Sequence, residues 1–305
     1  VAETGSVRAA AERLVVTQAA VSSSLTALQR SLGVTLLRRD GRGIRLTDAG
    51  TIYADYVRRV LGLLTEAKDA AAGEVDPGSG RLRVAAITTA GEQILPRLLA
   101  SFRAHYPEVD VSLGIGNREH IRALLENHDV DLVLSGRPQQ GAGHLELQTQ
   151  AVRRNELVVV APASAQLSPE LPWSARCARL AERTWLLREY GSGTRMTTEA
   201  LFDRLEISPS VLTLGSNGAV RESVVAGLGV SLMSRDAVAH ELATGVVTEV
   251  ATPATPLRRD WHLVSHRGRL PATAALFVRH VLEAGDFHTP RRPPRRGEAA
   301  RTSNS

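Results

Sequence analysis

The chain has 305 residues, a formal charge of +5 and one cysteine, Cys177, a length that suits two or three domains rather than one core. A single cysteine excludes an internal disulfide framework. Neither a signal-like segment nor an apolar stretch of membrane-spanning length occurs, so the expected compartment is the cytoplasm, with no membrane partner.

Val7, Ala10, Ala11 and Leu14 recur at three- and four-residue spacing with Arg8, Glu12 and Arg13 off that face, which predicts a short amphipathic helix. Thr17 then precedes a run in which Ala20, Val21, Leu25, Leu28 and Leu32 share one face. Thr17 is a natural N-cap for that second helix, and Gly33 ends it. Two short helices joined by a tight turn predict a helix-turn-helix whose second helix enters the major groove. Thr17, Gln18, Ala19, Ser22 and Ser23 are its candidate DNA-contacting residues, the hydroxyls and the amide among them suiting base edges and phosphates. Next, Leu36-Leu37 and Ile44-Arg45-Leu46 flank the turn-prone tip Asp40-Gly41-Arg42-Gly43, a hairpin or wing. Arg38, Arg39, Arg42 and Arg45 on it are candidate phosphate contacts, which supply salt-sensitive affinity while the helix discriminates.

From 48 to 73 the pattern reads as one long helix with Ile52, Tyr56, Val60, Leu63 or Leu64 and Ala67 along a seam. Such a seam needs a partner, and helix-turn-helix proteins bind symmetric sites as dimers, so a homodimer is expected. Asp76-Pro77-Gly78-Ser79-Gly80 is a breaker-rich hinge. Beyond it, strand-like and helical runs alternate, which predicts an α/β architecture with a largely parallel sheet. The strands are expected at 81–87, 109–115, 130–135, 157–161, 185–188, 211–214, 230–234 and 261–265. The helices are expected at 91–105, 118–127, 194–204, 219–226 and 272–282. The tail is rich in Pro, Gly, Ser and Arg and reads as disordered.

In open α/β sheets, ligands sit beyond the carboxyl ends of strands, where helix N-termini present free N–H groups. Thr88 and Thr89 follow the first strand, Gly116-Asn117 the second, and Ser135-Gly136-Arg137 the third. Gly191-Ser192-Gly193-Thr194-Arg195 precedes a later helix. Thr88, Thr89, Asn117, Ser135, Arg137, Ser192, Gly193 and Thr194 are therefore candidate ligand-binding residues. Arg137 suits a carboxylate or phosphate, and the ligand expected is a small anion. Gly215-Ser216-Asn217-Gly218 opens another helix, before Val224-Val225-Ala226-Gly227-Leu228-Gly229-Val230, and the segment reads as tight packing of glycines between helix and strand.

Catalytic chemistry is thin. His262 and His266 are four apart on a predicted strand, too far to chelate one metal readily. Cys177 lies in an Arg- and Ala-rich stretch with no neighbouring histidine, and neither a Walker loop nor a dinucleotide fingerprint occurs. The expectation is a non-enzyme with no cofactor and no metal.

The order Ala10-Ala11, Leu14, Thr17-Gln18, Val21-Ser22, Leu25, Leu28, Leu32-Gly33, Leu36-Leu37, Arg39, Arg42, Leu46-Thr47-Asp48-Ala49-Gly50 resembles the LysR-type transcriptional regulator family. It departs from the family pattern at Leu37 (usually Phe), Gln29 (usually Glu), Ala19 (commonly Pro) and Ser23-Ser24 (often Arg-Gln). The portion beyond the hinge is similar to the family's effector domain, which has two periplasmic-binding-protein-like lobes joined by crossing strands. The resemblance implies an α+β multi-domain fold: a winged helix-turn-helix at 1–47, a dimerisation linker helix at 48–75, a hinge at 76–80 and an effector-binding domain at 81–286. Its first lobe would take 81–158 and 258–286, its second 159–257, and 287–305 would be a basic tail. It also implies a further helix upstream of Val1, without which so small a head buries little surface. The expected function is a transcriptional regulator on double-stranded operator DNA, a dimer or tetramer that contacts RNA polymerase, modulated by a small anionic effector. A ligand-binding protein with a defective DNA-binding head is the alternative, suggested by Ser23-Ser24.

Overall fold

The computed structural model describes residues 1–41, 43–137, 146–165, 167 and 170–290, with the side chains of 72 and 73 left aside. Arg42 and the tail residues 291–305 lie outside the described residues. The chain divides into two compact units, one of residues 1–67 and one from Lys68 onward.

In the first unit, α1 (Val7–Leu14) is capped by Ser6, whose Oγ accepts from the Ala9 amide, and it ends at Val15 in a left-handed conformation. The helix α2 (Gln18–Leu32) opens at Thr17, whose Oγ1 accepts from Ala20 N at 3.1 Å, and ends at Gly33 with φ +68°. The expected cap and stop residues thus act as such, each satisfying terminal backbone groups. Ala10, Ala11 and Val21 are the buried residues of this helix pair. Strands β1 (Leu37–Asp40) and β2 (Gly43–Leu46) form the antiparallel wing, with Arg38 opposite Arg45 and Arg39 opposite Ile44.

Two side chains set where that wing stands. Gln29 Oε1 accepts from Leu36 N at 2.7 Å and Leu37 N at 3.2 Å; only an acceptor oxygen is used, which an amide supplies as well as a carboxylate. Thr47 Oγ1 donates to Thr35 O and accepts from Gly50 N, so one hydroxyl both holds the strand and caps the next helix. At Gly50 the backbones approach so closely that an added Cβ would lie 1.9 Å from Leu36 O. The long helix α3 (Asp48–Val75) follows without a break.

The second unit has a six-stranded sheet in its first half, and a four-stranded sheet with a separate parallel pair of strands in its second. The first is built from β3 (Arg81–Ile87), β4 (Asp110–Gly116), β5 (Leu132–Ser135) and β6 (Leu147–Arg153), with α4 (Thr88–Gln93), α5 (Leu95–His105) and α6 (Arg118–Glu126) between them. In place of the one helix expected at 91–105, the chain is helical from Thr88 and breaks at Ile94. Pro96 explains the break, because it has no N–H to continue α4 and its ring crowds the carbonyl four residues back, while in the first turn of α5 a missing N–H costs nothing.

The chain then passes into the second sheet through β7 (Glu156–Pro162), α7 (Trp173–Ala181), β8 (Trp185–Arg188), α8 (Gly193–Leu205), β9 (Val211–Leu214), α9 (Asn217–Val225), β10 (Ser231–Ser234), α10 (Ala239–Thr244), β11 (Val247–Val250) and β12 (Leu257–Arg258). It returns through β13 (Trp261–His266), α11 (Ala272–Glu283) and β14 (Phe287–His288). The first sheet has the order β14-β6-β13-β5-β3-β4. Only β3, β4 and β5 are mutually parallel; β13 and β14 pair antiparallel to their neighbours. In the second, four-stranded sheet β7 is antiparallel to β10, β11 and β12, while β8 and β9 form a separate parallel pair that an isolated bridge from Trp185 to Val230 joins to it.

The expected largely parallel sheet therefore holds only where a strand–helix–strand crossover is local. Strands that arrive from the other half of the unit come in reversed. The expected lobe limits also move. Residue 158 falls inside β7, so the change of sheet lies at 154–155, and Arg258 pairs with Glu156 in the second sheet, so the return lies at 259–260. Residues 287 and 288, expected in the tail, instead form a strand whose Phe287 is buried in the first core.

Each sheet carries its own core. Phe102, buried in the first, meets Phe277 edge-on with centroids 5.1 Å apart. Trp185, fully buried in the second, meets Phe202 in the same manner, and its Nε1 donates to Leu180 O. Large aromatic side chains buried this way contribute about 1.5–3 kcal/mol each. Asn155, buried where the chain changes sheet, accepts from Ser234 Oγ and donates to Arg259 O, which ties the two crossings together.

Candidate nucleic-acid interface and effector cleft

Thr17, Gln18, Ala19, Ser22 and Ser23 are all exposed, at the cap and along the first two turns of α2. Apart from Thr17, which caps the helix, none carries a load in the fold. Arg38, Arg39 and Arg45 are exposed on the hairpin; Arg42 lies outside the described residues. Opposite residues of an antiparallel pair project from one face, so Arg38 and Arg45 stand side by side. Like charges so placed repel, and Asp40 offsets this with a 3.5 Å contact to Arg45. Both partners are well exposed, so the pair adds little stability and leaves the face cationic.

Along α3, Ile52, Tyr56, Val60, Leu61, Leu63 and Leu64 are each more than half exposed. Their three- and four-residue spacing makes the unpaired apolar seam that the sequence predicts.

The two sheets meet through their loops. Thr89, buried at the start of α4, accepts at Oγ1 from Asn217 Nδ2 at 2.7 Å, and Asn217 opens α9 on the second sheet. Asn217 Oδ1 in turn accepts from Arg188 Nη1. Arg188 is neutralised by Glu189 through paired 2.7 Å hydrogen bonds, which hold the Glu189 carboxyl below the usual carboxylate range. Thr89, Arg188, Thr194, Thr198, Asn217, Ser231 and Ser234 line a cavity of about 10 Å³, room for about one water. Thr88, half-buried, directs its hydroxyl at Gly116 O at 3.5 Å.

Arg118, the first residue of α6, lies between the halves. Its Nη2 stands 3.8 Å from where a Cβ would be at Gly136 and 3.8 Å from the same place at Gly193. Ser135, half-buried, donates to Gly136 O, and Ser192 opens α8 without a side-chain cap bond.

Of the expected ligand residues, the structure thus brings together Thr88 and Thr89, the Ser135-Gly136 turn, and Ser192, Gly193 and Thr194. Asn117 belongs to the fold: its Oδ1 caps α6 through His120 N at 2.8 Å. Arg137 is exposed beside the strand and acts on His262, whose pKa is lowered chiefly by burial and further by that charge. Arg195, within the same glycine-rich loop, turns back into its own half, bonding Glu199, Arg188 O and Thr213 and lying 3.7 Å over the Tyr190 ring.

Arg118, Arg188 and Asn217 escape a reading of the sequence as site residues. A signal for Asn217 is present, since Gly215-Ser216 announces a helix start; glycine packing is the wrong inference from it. Tight packing holds at Gly229, where a Cβ would meet Thr184 O at 2.2 Å, but nothing crowds Gly215. Elsewhere, His266 stacks on His128 at 4.0 Å and bonds Leu125 O, and half-buried Cys177 donates to Leu205 O. No helix among the described residues is long and apolar enough to cross a membrane.

Residues 1–51 match the family described as bacterial regulatory helix-turn-helix protein, lysR family, and residues 76–286 match the LysR substrate binding domain. The HTH-type transcriptional activator CmpR of a Synechocystis strain is 34% identical over 92% of this chain and 91% of its own length. The RuBisCO operon transcriptional regulator of Allochromatium vinosum is 35% identical over 94% of both. Among solved structures, the regulatory domain of Synechocystis CcmR in complex with 2-PG superposes with a TM-score of 0.59. It is 32% identical, covering 67% of this chain and 96% of that domain. With a helix-turn-helix, a cationic wing, a long apolar-seamed helix and a two-sheet regulatory unit in one order, the chain belongs to the LysR family of DNA-binding transcriptional regulators.

Proposed function

We propose that a small anionic effector held between the two sheets sets how this regulator engages its operator. The observation that supports this most directly is the meeting of hydroxyl- and glycine-bearing loops from both halves: Thr88 and Thr89 on one side, and Ser192, Gly193 and Thr194 on the other, joined through Thr89 and Asn217. The related Synechocystis domain in complex with 2-PG supports a ligand of that class, which we read as 2-phosphoglycolate. An effector acts in this scheme only by binding two arrangements of the protein unequally.

On DNA, Gln18, Ala19, Ser22 and Ser23 would read the major groove, Thr17 would lie at the phosphates, and Arg38, Arg39, Arg42 and Arg45 would follow the backbone. The exposed seam from Ile52 to Leu64 supports a homodimer paired through α3, with two dimers making a tetramer on an interrupted inverted repeat and RNA polymerase as a further contact. The working division is a DNA-binding head at 1–47, a linker helix at 48–75, a hinge at 76–80 and a regulatory domain from 81 through β14, acting in the cytoplasm with no resident cofactor.

Footprinting on the chain's own upstream DNA, at two salt concentrations and with competitor DNA, tests this reading. A protected inverted repeat that survives competitor and changes its protected boundary on adding 2-phosphoglycolate is the expected result. Protection that vanishes with competitor, or a footprint and a thermal unfolding both unmoved by 2-phosphoglycolate and other small phosphorylated acids, refutes it.

A further inference from the structure

Arg118 and Arg137 are both exposed beside the cleft, and Arg118 is the one whose guanidinium is placed against both halves. Arg118 is exposed, and among the described residues its guanidinium has neither a hydrogen-bond nor an ion-pair partner. Two neighbouring arginines are committed: Arg188 to Glu189 and Asn217, Arg195 to Glu199, Thr213 and a carbonyl. Arg118 belongs to the first half, yet its Nη2 is as near to the Cβ place of Gly193 in the second half as to that of Gly136 in the first. Neither glycine has a positive φ, so the backbone does not require glycine at either position. A Cβ at either place would make only ordinary contact, so the guanidinium lies against the loops of both halves without crowding.

An unpaired cation costs little in open water, but one flanked by two surfaces that approach each other loses solvent and needs an anion in return. A guanidinium fork meets a phosphoryl group with two parallel N–H donors, the stronger class of hydrogen bond. We propose that Arg118 reads the phosphoryl group of the effector and clamps it between the halves, from a position beside both Gly136 and Gly193. Arg137, the arginine to which the sequence points, is then secondary. This assignment rests on reading the cleft as the site of a small phosphorylated acid.

Isothermal titration of the full chain with 2-phosphoglycolate, in wild type, Arg118→Gln, Arg118→Lys and Arg137→Gln, tests it, with thermal unfolding as the check on folding. Arg118→Gln is expected to weaken binding about 10- to 100-fold, the range set by losing charged hydrogen bonds. Arg118→Lys recovers part of that loss, since it keeps the charge without the fork, and Arg137→Gln changes affinity less than about threefold. Wild-type affinity also rises as pH increases through about 6, where the phosphoryl group becomes a dianion, and Arg118→Gln flattens that rise. A wild type that binds while Arg118→Gln binds within about twofold of it overturns the role of Arg118 and leaves the cleft reading standing. A wild type that binds no phosphorylated acid overturns both.

Discussion

Gly50→Ala sets two effects against each other at the junction of wing and long helix. Gly50 lies near the start of α3, and by intrinsic propensity alanine there favours the helix by about 1 kcal/mol. The tertiary contact opposes it. A Cβ at 50 would sit 1.9 Å from Leu36 O, and real Cβ contacts do not fall below 3.0 Å, so helix and wing must part by about 1 Å, the difference of the two. That movement stretches the two bonds that hold the junction, Thr47 N to Leu36 O at 3.0 Å and Thr47 Oγ1 to Thr35 O at 2.7 Å. Losing both costs about 2 kcal/mol, and overpacking adds about 1–3 kcal/mol. The net expectation is a destabilisation of about 2–4 kcal/mol, confined to residues 1–67, which form a separate unit.

Hydrogen exchange on the full chain separates the units. The amides of Leu36, Leu37 and Thr47 should lose protection in Gly50→Ala while β3 and β7 keep theirs, and operator affinity should fall. A variant whose Leu36 and Thr47 amides are protected as in wild type, or better, would show that propensity outweighs the contact and refute the reasoning.

Three further outcomes follow from the same structure. Arg38→Ala with Arg45→Ala should weaken operator binding at every sequence tested and flatten the plot of log affinity against log salt by up to about 0.9 for each phosphate that is no longer neutralised; an unchanged slope would remove the wing from the interface. Asn217→Ala leaves the buried Thr89 hydroxyl and Arg188 each short of a partner, so the regulatory unit should lose about 1–3 kcal/mol in urea unfolding, and full retention would mean water replaces the bond. Burial lowers the pKa of His262, so the unfolded chain binds the proton more readily than the folded one. The regulatory unit should therefore lose stability as pH falls below about 6.5, and His262→Gln should lessen that loss; an identical pH profile in the variant would refute the role of His262.

The helices and strands with a strong local signal are legible in the sequence. Thr17 and Gly33 act through their own turn, so the bounds of α2 are written in a few residues, and the wing follows from a Gly-rich tip between apolar pairs. Where packing decides, the sequence is silent. Strand β6 is unexpected, because its residues Gln148 and Gln150 mask the alternation, yet it runs between β13 and β14. Helix α7 is rich in arginine, and its placement rests on few buried residues, Leu180 above all. In the cleft, the threonines and glycines are found by their position after strands. Asn217 and Arg118 need the second half of the chain to be in place before either has a role.

What the sequence by itself determined is every element whose signal is periodic or capped: the reading helix, the arginine wing, the seamed α3 and the alternation that makes two α/β halves. These are local, since they depend on side chains within one or two turns of each other. Only the tertiary structure decided which strands run antiparallel, that Gly50 faces Leu36 O, and that Thr89 meets Asn217 across 128 residues of chain. It also decided that Arg118 stays without a partner among the described residues. That choice is not local, because a guanidinium is spent or spare according to the partners that folding brings to it, and Arg188 found Asn217, 29 residues on, while Arg118 was set between two glycines.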